Sequence, residues 1–178
     1  YNGFELSLTK RYADKWQFMG SITYGKSNVK LPIQAVDDPN NQAFNNDVVS
    51  STDVPVIIKL SGSYDLPWGF YLGAFFNYRR GYPTQRYFLY EDLTQGEIYV
   101  AAEKFGASRY PDLALFDLRL SKIIGLKRFG KLEIMLDGFN LFNAHTPLDW
   151  DNESWEGYKE VTQILAPRIV RLGVKWTF

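Results

Sequence analysis

At 178 residues the chain is long enough for a sizeable core, and without cysteine it holds no disulfide framework, zinc–thiolate site or thiol nucleophile. Its 20 basic and 20 acidic residues cancel, which removes any global electrostatic case for nucleic acid or anionic lipid. No apolar run reaches the roughly 18 residues of a transmembrane helix.

The first periodic stretch, about 2–12, sets Phe4, Leu6 and Leu8 against Glu5, Ser7 and Thr9. A period of two is the mark of a β-strand with one apolar face. Ala13-Asp14 turns tightly into a second strand, about 15–27, where Trp16, Phe18, Ile22 and Tyr24 oppose Gln17, Ser21 and Thr23. The stretch from Asn28 to about Asp53 carries Asp37-Asp38-Pro39-Asn40-Asn41 and Asn45-Asn46-Asp47, residues that mark a loop. A third strand, about 54–65, places Val56, Ile58, Leu60 and Tyr64 opposite Lys59, Ser61, Ser63 and Asp65. Leu66-Pro67-Trp68-Gly69 reads as a tight turn, Pro fixing φ and Gly permitting a positive one.

The fourth strand, about 70–80, alternates Phe70, Leu72, Ala74, Phe76 and Tyr78 with Tyr71, Gly73, Phe75, Asn77 and Arg79. In the long connection from Gly81 to Asp112, Arg86–Tyr90 and Glu97–Ala101 are expected to pair as a hairpin. The fifth strand, about 113–123, sets Phe116, Leu118 and Leu120 against Asp117, Arg119 and Ser121. A short turn over Gly125–Gly130 leads to the sixth, about 131–142, with Leu132, Ile134 and Leu136 opposite Glu133, Met135 and Asp137. The third long connection, about Asn143 to Leu165, is acidic and carries Trp150, Trp155 and Tyr158. The last eleven residues, Arg168–Phe178, alternate throughout: Val170, Leu172, Val174, Trp176 and Phe178 on one face, Ile169, Arg171, Gly173, Lys175 and Thr177 on the other.

Connections therefore alternate short and long, and the seven strands join as an up-and-down antiparallel meander. A soluble sheet also alternates apolar and polar residues, so alternation alone does not imply lipid contact. Three features favour a membrane wall. Ionisable groups of both signs recur on the polar face, from Glu5 and Lys59 to Arg171 and Lys175, as a hydrated lumen would allow. Short turns on one side with long loops on the other is the plan of outer-membrane barrels. Aromatic residues gather near the ends of the apolar face, among them Trp16, Tyr24, Tyr64, Phe70, Tyr78 and Trp176. A mean hydropathy of −0.27 does not oppose this, because every second residue of such a strand faces water.

The expected fold is all-β: an antiparallel transmembrane β-barrel segment of about seven strands, with turns periplasmic and loops outside. Seven strands leave open edges, which lipid does not tolerate, so further strands must close the barrel. Tyr1 opens the chain in mid-strand without an initiator Met or signal peptide, so a processed or partial chain is expected.

Tyr64–Gly69, Gly81-Tyr82-Pro83, Phe116–Lys122 and Asp137–Asn143 are four stretches that, in this order, together resemble the carboxy-terminal third of the barrel of TonB-dependent outer-membrane receptors, especially their Oar-like branch. The ending from Ala166 to Phe178 is similar too. The resemblance implies that residues 1–178 are the carboxy-terminal part of a plugged, 22-stranded barrel whose plug and amino-terminal regions lie outside the chain. It implies outer-membrane lipid, the barrel-assembly machinery, the missing strands and plug, and TonB through the missing region as partners. It further implies that Val170, Leu172, Val174, Trp176 and Phe178 form the signal read by the assembly machinery, and it leaves the cargo open.

Other candidate sites are weaker. Trp150, Trp155 and Tyr158 are plausible ligand contacts on an external loop, with loop packing the plainer role. Asp37-Asp38 and Asp149-Asn152-Glu153 offer oxygen ligands for calcium but lack the spacing of a calcium loop. Asp117 and Arg119 would face plug or cargo, or more simply pair across strands with Glu133 or Arg171. His145, the only histidine, has no partner motif; no nucleophile elbow, HExxH or glycine-rich phosphate loop appears, so neither enzyme nor cofactor is expected. The alternatives to a transporter are a scaffold subunit of an outer-membrane complex and a soluble carbohydrate-binding β-sandwich.

Overall fold

The computed structural model describes residues 1–30, 47–94 and 96–178. Strands β1 (Asn2–Ala13) and β2 (Trp16–Lys26) form the first hairpin, followed by a ribbon of β3 (Asn28–Lys30) and β4 (Asp47–Val49). The second hairpin is β5 (Val56–Leu66) and β6 (Phe70–Arg79). The next connection holds β7 (Pro83–Thr84), β8 (Tyr87–Tyr90), β9 (Ile98–Ala101) and β10 (Ser108–Arg109), β7 pairing with β10 and β8 with β9. The third hairpin is β11 (Leu113–Gly125) and β12 (Lys131–Phe139); the ribbon of β13 (Pro147–Trp150) and β14 (Val161–Ile164) then leads to β15 (Ile169–Thr177).

The seven long strands make one antiparallel sheet in the order β1-β2-β5-β6-β11-β12-β15, the meander expected from the pattern. The expected hairpin in the second long connection forms as β8 and β9. The ribbons β3–β4 and β13–β14, in stretches read as loop, extend the structure beyond those expectations.

Turn chemistry explains the short connections. Asp14 and Lys15 have φ of 54° and 72°, the two left-handed residues of a two-residue hairpin turn. At Pro67–Gly69 the left-handed residues are Trp68 and Gly69, so the turn uses Trp68 where only Gly was expected to take positive φ. Strand β12 stops at Phe139, three residues before the expected end. There Asn140 enters the left-handed region at φ 48°, and its side chain accepts from the Ala144 N–H and donates to the carbonyls of Ala144 and Ala166.

Register carries the main structural consequence. Even-numbered residues pair with even-numbered residues across the sheet: Phe4 with Tyr24, Ile22 with Ile58, Leu60 with Phe76, Phe76 with Phe116, Leu120 with Leu136, and Leu136 with Leu172. The exception is Ala13 opposite Trp16, after a register shift that follows Lys10. One face of seven strands is thus continuous, and a one-residue slip anywhere would invert a strand.

That even face is apolar and exposed: Leu8 is 65% accessible and Leu172 71%. Among the described residues no second sheet stacks on it, the other sheets being the four ribbons of the long connections. Among the described residues the buried hydrophobic side chains are Val48, in β4, and Leu113, at the loop end of β11, whereas Asp53, Thr84, Ser121, Asp137 and Asn140 are buried and polar. The core lies under the loops, and the wall is inside out.

Candidate functional site

The long connections are knitted together by two consecutive residues at the end of the β7–β10 ribbon. Arg109 donates through Nη2 to Asp53 Oδ2 at 2.5 Å, and through Nη1 to the carbonyls of Asp53 and Gly81 at 3.0 and 3.1 Å. Asp53 is 2% exposed, and its other carboxylate oxygen accepts the Ser27 N–H at 2.6 Å. This charge-assisted bond ties the first long connection to the second.

Tyr110 turns to the third connection. Its hydroxyl donates to Asp149 Oδ1 at 2.6 Å and accepts from Asn152 Nδ2 at 3.0 Å, and its ring lies 4.8 Å from that of Trp150. Burial pushes the Tyr110 phenol above its ordinary value of 10.0, with the Asp149 hydrogen bond adding to the rise. Asn152 Oδ1 accepts from Thr84 Oγ1 at 2.7 Å and from Trp150 Nε1 at 3.0 Å, so both ends of its amide are engaged. Backbone bonds from Tyr87 N to Asn152 O and from Ser154 N to Tyr87 O lay the third connection beside β8.

The three aromatic residues proposed as ligand contacts separate. Trp150 is half-buried and committed to Tyr110 and Asn152. Tyr158 lies under the Arg86 guanidinium at 5.4 Å, and Lys159 stands 5.5 Å over the Trp150 ring and 5.4 Å over that of Tyr158. Trp155 is the outward ring, 57% exposed, with Nε1 donating to Asp151 Oδ2 at 3.2 Å. Asp149 Oδ1 and Asn152 Oδ1 are taken by Tyr110, Thr84 and Trp150. The Asp37-Asp38 pair lies outside the described residues.

The polar face of the sheet carries a second cluster. Asp137 stands between Arg119 on β11 and Arg171 on β15, its direct partners in register. Arg119 Nε donates to Oδ1 at 2.5 Å, while Arg171 donates to Oδ2 through Nε at 3.0 Å and Nη2 at 2.7 Å. Arg119 therefore pairs across the strand, as the plainer expectation had it, but with Asp137 instead of Glu133 or Arg171. Asp117 departs from the pair and accepts the Asn140 N–H at 2.8 Å, helping to end β12. Asp117, Arg119 and Asp137 line a concavity of about 660 Å³ together with Tyr71 and Phe75.

At the end of the chain Val170, Leu172, Val174 and Trp176 are exposed on the even face. Trp176 Nε1 donates to the Phe129 carbonyl at 2.8 Å, and Phe178 is 97% exposed.

Asp53, Arg109 and Tyr110 carry no local signal in the sequence, since their partners lie in other connections, and Asn152 stands out there only as a possible oxygen ligand for calcium.

No family model and no curated protein matches the chain. Among solved structures, the outer membrane transporter YddB from Escherichia coli is similar, with a TM-score of 0.61 and 17% identity. The match covers 99% of this chain and 25% of that one, so the chain spans about a quarter of the transporter's length. The likeness is one of fold: the sheet has the form of part of an outer-membrane transporter barrel.

Proposed function

We propose that this sheet is a section of the wall of an outer-membrane transporter barrel, with the three long connections forming part of its external vestibule. The observation that carries the reading is the inverted burial. A continuous face bearing Leu6, Leu8, Ile22, Leu136, Leu172 and Val174 is exposed, while Asp137 is enclosed on the opposite face. Burial of a large aliphatic side chain is worth about 1.5–3 kcal/mol, and soluble monomers rarely expose contiguous apolar patches beyond a few hundred Å². Lipid removes that penalty, and a hydrated lumen suits the Arg119–Asp137–Arg171 row.

All three tight turns then fall on the periplasmic side and the long connections outside. Strands β1 and β15, the edges of this sheet, require partners to close the barrel, since unpaired backbone groups in lipid cost several kcal/mol each. The finer reading is a TonB-dependent receptor of the Oar-like branch, supported by the ordered resemblance of five stretches from Tyr64 to Phe178. In it Val170, Leu172, Val174, Trp176 and Phe178 form the assembly signal, and plug and TonB contacts belong to other strands and domains. The wall does no chemistry; it excludes lipid, holds the plug and positions the loops, with Trp155 and Tyr158 as the rings nearest a cargo.

Gel mobility before and after heating tests the reading. A detergent-dependent protein with heat-modifiable migration is expected. A monodisperse, detergent-free protein with unchanged migration overturns it.

A further inference from the structure

The net charge of zero conceals a local pattern on the even face. Within the strands that face carries Lys10, Lys26 and Lys122 and no acidic residue. Lys10 and Lys122 both lie toward the tight turns, half-buried, each folded over an aromatic ring. Lys10 Nζ is 4.1 Å from the centre of the Trp16 ring and donates to the carbonyls of Ala13 at 2.9 Å and Trp16 at 3.3 Å. Lys122 Nζ is 4.2 Å from the Phe70 ring and donates to the Trp68 carbonyl. An ammonium on an apolar face that reaches back to turn carbonyls is a stem lying along lipid with its head at the interface.

Beside Lys10 the face is dented. Phe18, Gly62, Ala74 and Leu118 are successive partners across four strands, so the two smallest side chains sit between two large ones. The dent is an apolar groove of about 450 Å³, floored by Gly62 and Ala74 and bounded by Trp16, Leu60, Leu72 and Phe76. Lys10 is the register partner of Phe18 and lies over the Trp16 ring, so its charge flanks the groove beside the Trp16 wall.

We propose that this groove is a binding site for one anionic glycerophospholipid of the leaflet facing the turns, its acyl chain lying over Gly62 and Ala74 and its phosphate on the Lys10 ammonium. Charge complementarity selects the occupant. An apolar slot with no carboxylate in its lining and a cation beside its Trp16 wall matches a chain ending in a phosphate, and an ammonium has three donors, of which two are directed to carbonyls. The inference rests on the membrane-wall reading.

The test is native mass spectrometry of the complete barrel, released from micelles after equilibration with phosphatidylglycerol or phosphatidylcholine of equal chain length. The wild type should retain phosphatidylglycerol in preference. Lys10→Gln should lower that preference about tenfold, as loss of a charge-assisted contact implies. Ala74→Leu, which fills the groove, should reduce retention of both lipids. Equal retention of the two lipids by the wild type, or a preference unchanged in Lys10→Gln, overturns the site. Heat-modifiable migration of every variant is scored in parallel. Its loss in the wild type counts against the membrane wall itself, whereas its persistence with unchanged lipid retention counts against the groove alone.

Discussion

Arg109 and Asp53, 56 residues apart, form a salt bridge of 2.5 Å with an Asp53 side chain that is 1% exposed. The bond is the join between two long connections, and its neighbour Tyr110 makes the join to the third. Removing one partner of a buried pair leaves the other charge unsatisfied, at about 3–5 kcal/mol. Arg109→Ala should therefore loosen the loops by about 3 kcal/mol without altering the wall. Hydrogen exchange at the Ser27 amide, which Asp53 accepts at 2.6 Å, should quicken by roughly a hundredfold while amides of β11 and β12 stay protected. Unchanged exchange at Ser27 would show that the bridge is not the join.

Asn152 is the matching anchor of the third connection. Asn152→Leu removes the acceptor of Thr84 and Trp150 and one donor to Tyr110, which keeps its bond to Asp149, and each buried polar group left unpaired costs about 1–3 kcal/mol. Limited proteolysis should then cut faster within residues 151–160. Equal cleavage rates would assign the loop's order to its backbone bonds with Tyr87 instead.

Alkali should open the same cap. Tyr110 has a folded-state pKa raised first by burial and then by Asp149, so the native loops hold its proton more tightly than an opened chain does. Its contribution is fully present below the ordinary phenol value of 10.0 and is lost as pH climbs through the raised folded value. Tyr87, raised by burial and by Asp151 and Glu153, adds in the same direction. Trp fluorescence should report a transition above pH 10 that is weakened in Tyr110→Phe; an identical transition in that variant would exclude Tyr110 as its source.

Asp137 holds two guanidiniums across three strands. Arg119 and Arg171 are partly exposed, at 44% and 58%, so each pair is worth less than a fully buried one. Asp137→Ala should cost about 1–2 kcal/mol of sheet stability, and Asp137→Asn somewhat less. A double-mutant cycle with Arg171→Leu should give a positive coupling. Zero coupling would make the row incidental.

Much of this sheet was legible because its information is local and repeated. The period of two in Val170–Phe178 and in Phe70–Arg79 names both strand and face, and Asp14, Pro67 and Gly130 mark turns by backbone preference. The sequence pattern overruns the end of β12 because Leu141-Phe142 continues its apolar character, while Asn140 leaves the strand through bonds to Ala144 and Ala166 that periodicity does not register. The partner of Arg119 was equally out of reach: whether Glu133 or Asp137 stands opposite depends on the register of a hairpin whose turn includes a 3-10 segment over Lys127–Phe129. The loop joins depend on distances in sequence that no local pattern spans.

Leu172 and Arg171 test the face assignment energetically. Arg on the lipid face near the bilayer midplane costs about 2–4 kcal/mol, so Leu172→Arg should destabilise the folded barrel by that amount in vesicles. Arg171→Leu should cost less, because Arg119 still pairs with Asp137. Equal losses would contradict the assignment.

The most direct measurement uses the absence of cysteine from these 178 residues, with any cysteine elsewhere in the complete barrel replaced by serine. Single cysteines placed in turn at 169 through 177 in the complete barrel, spin-labelled in lipid vesicles, should show oxygen accessibility peaking at 170, 172, 174 and 176. A water-soluble nickel chelate should reach the odd positions instead. Alternation with that phase is the expected result for a wall with lipid on its even face. Uniform access by the chelate at all nine positions, or the opposite phase, would contradict it.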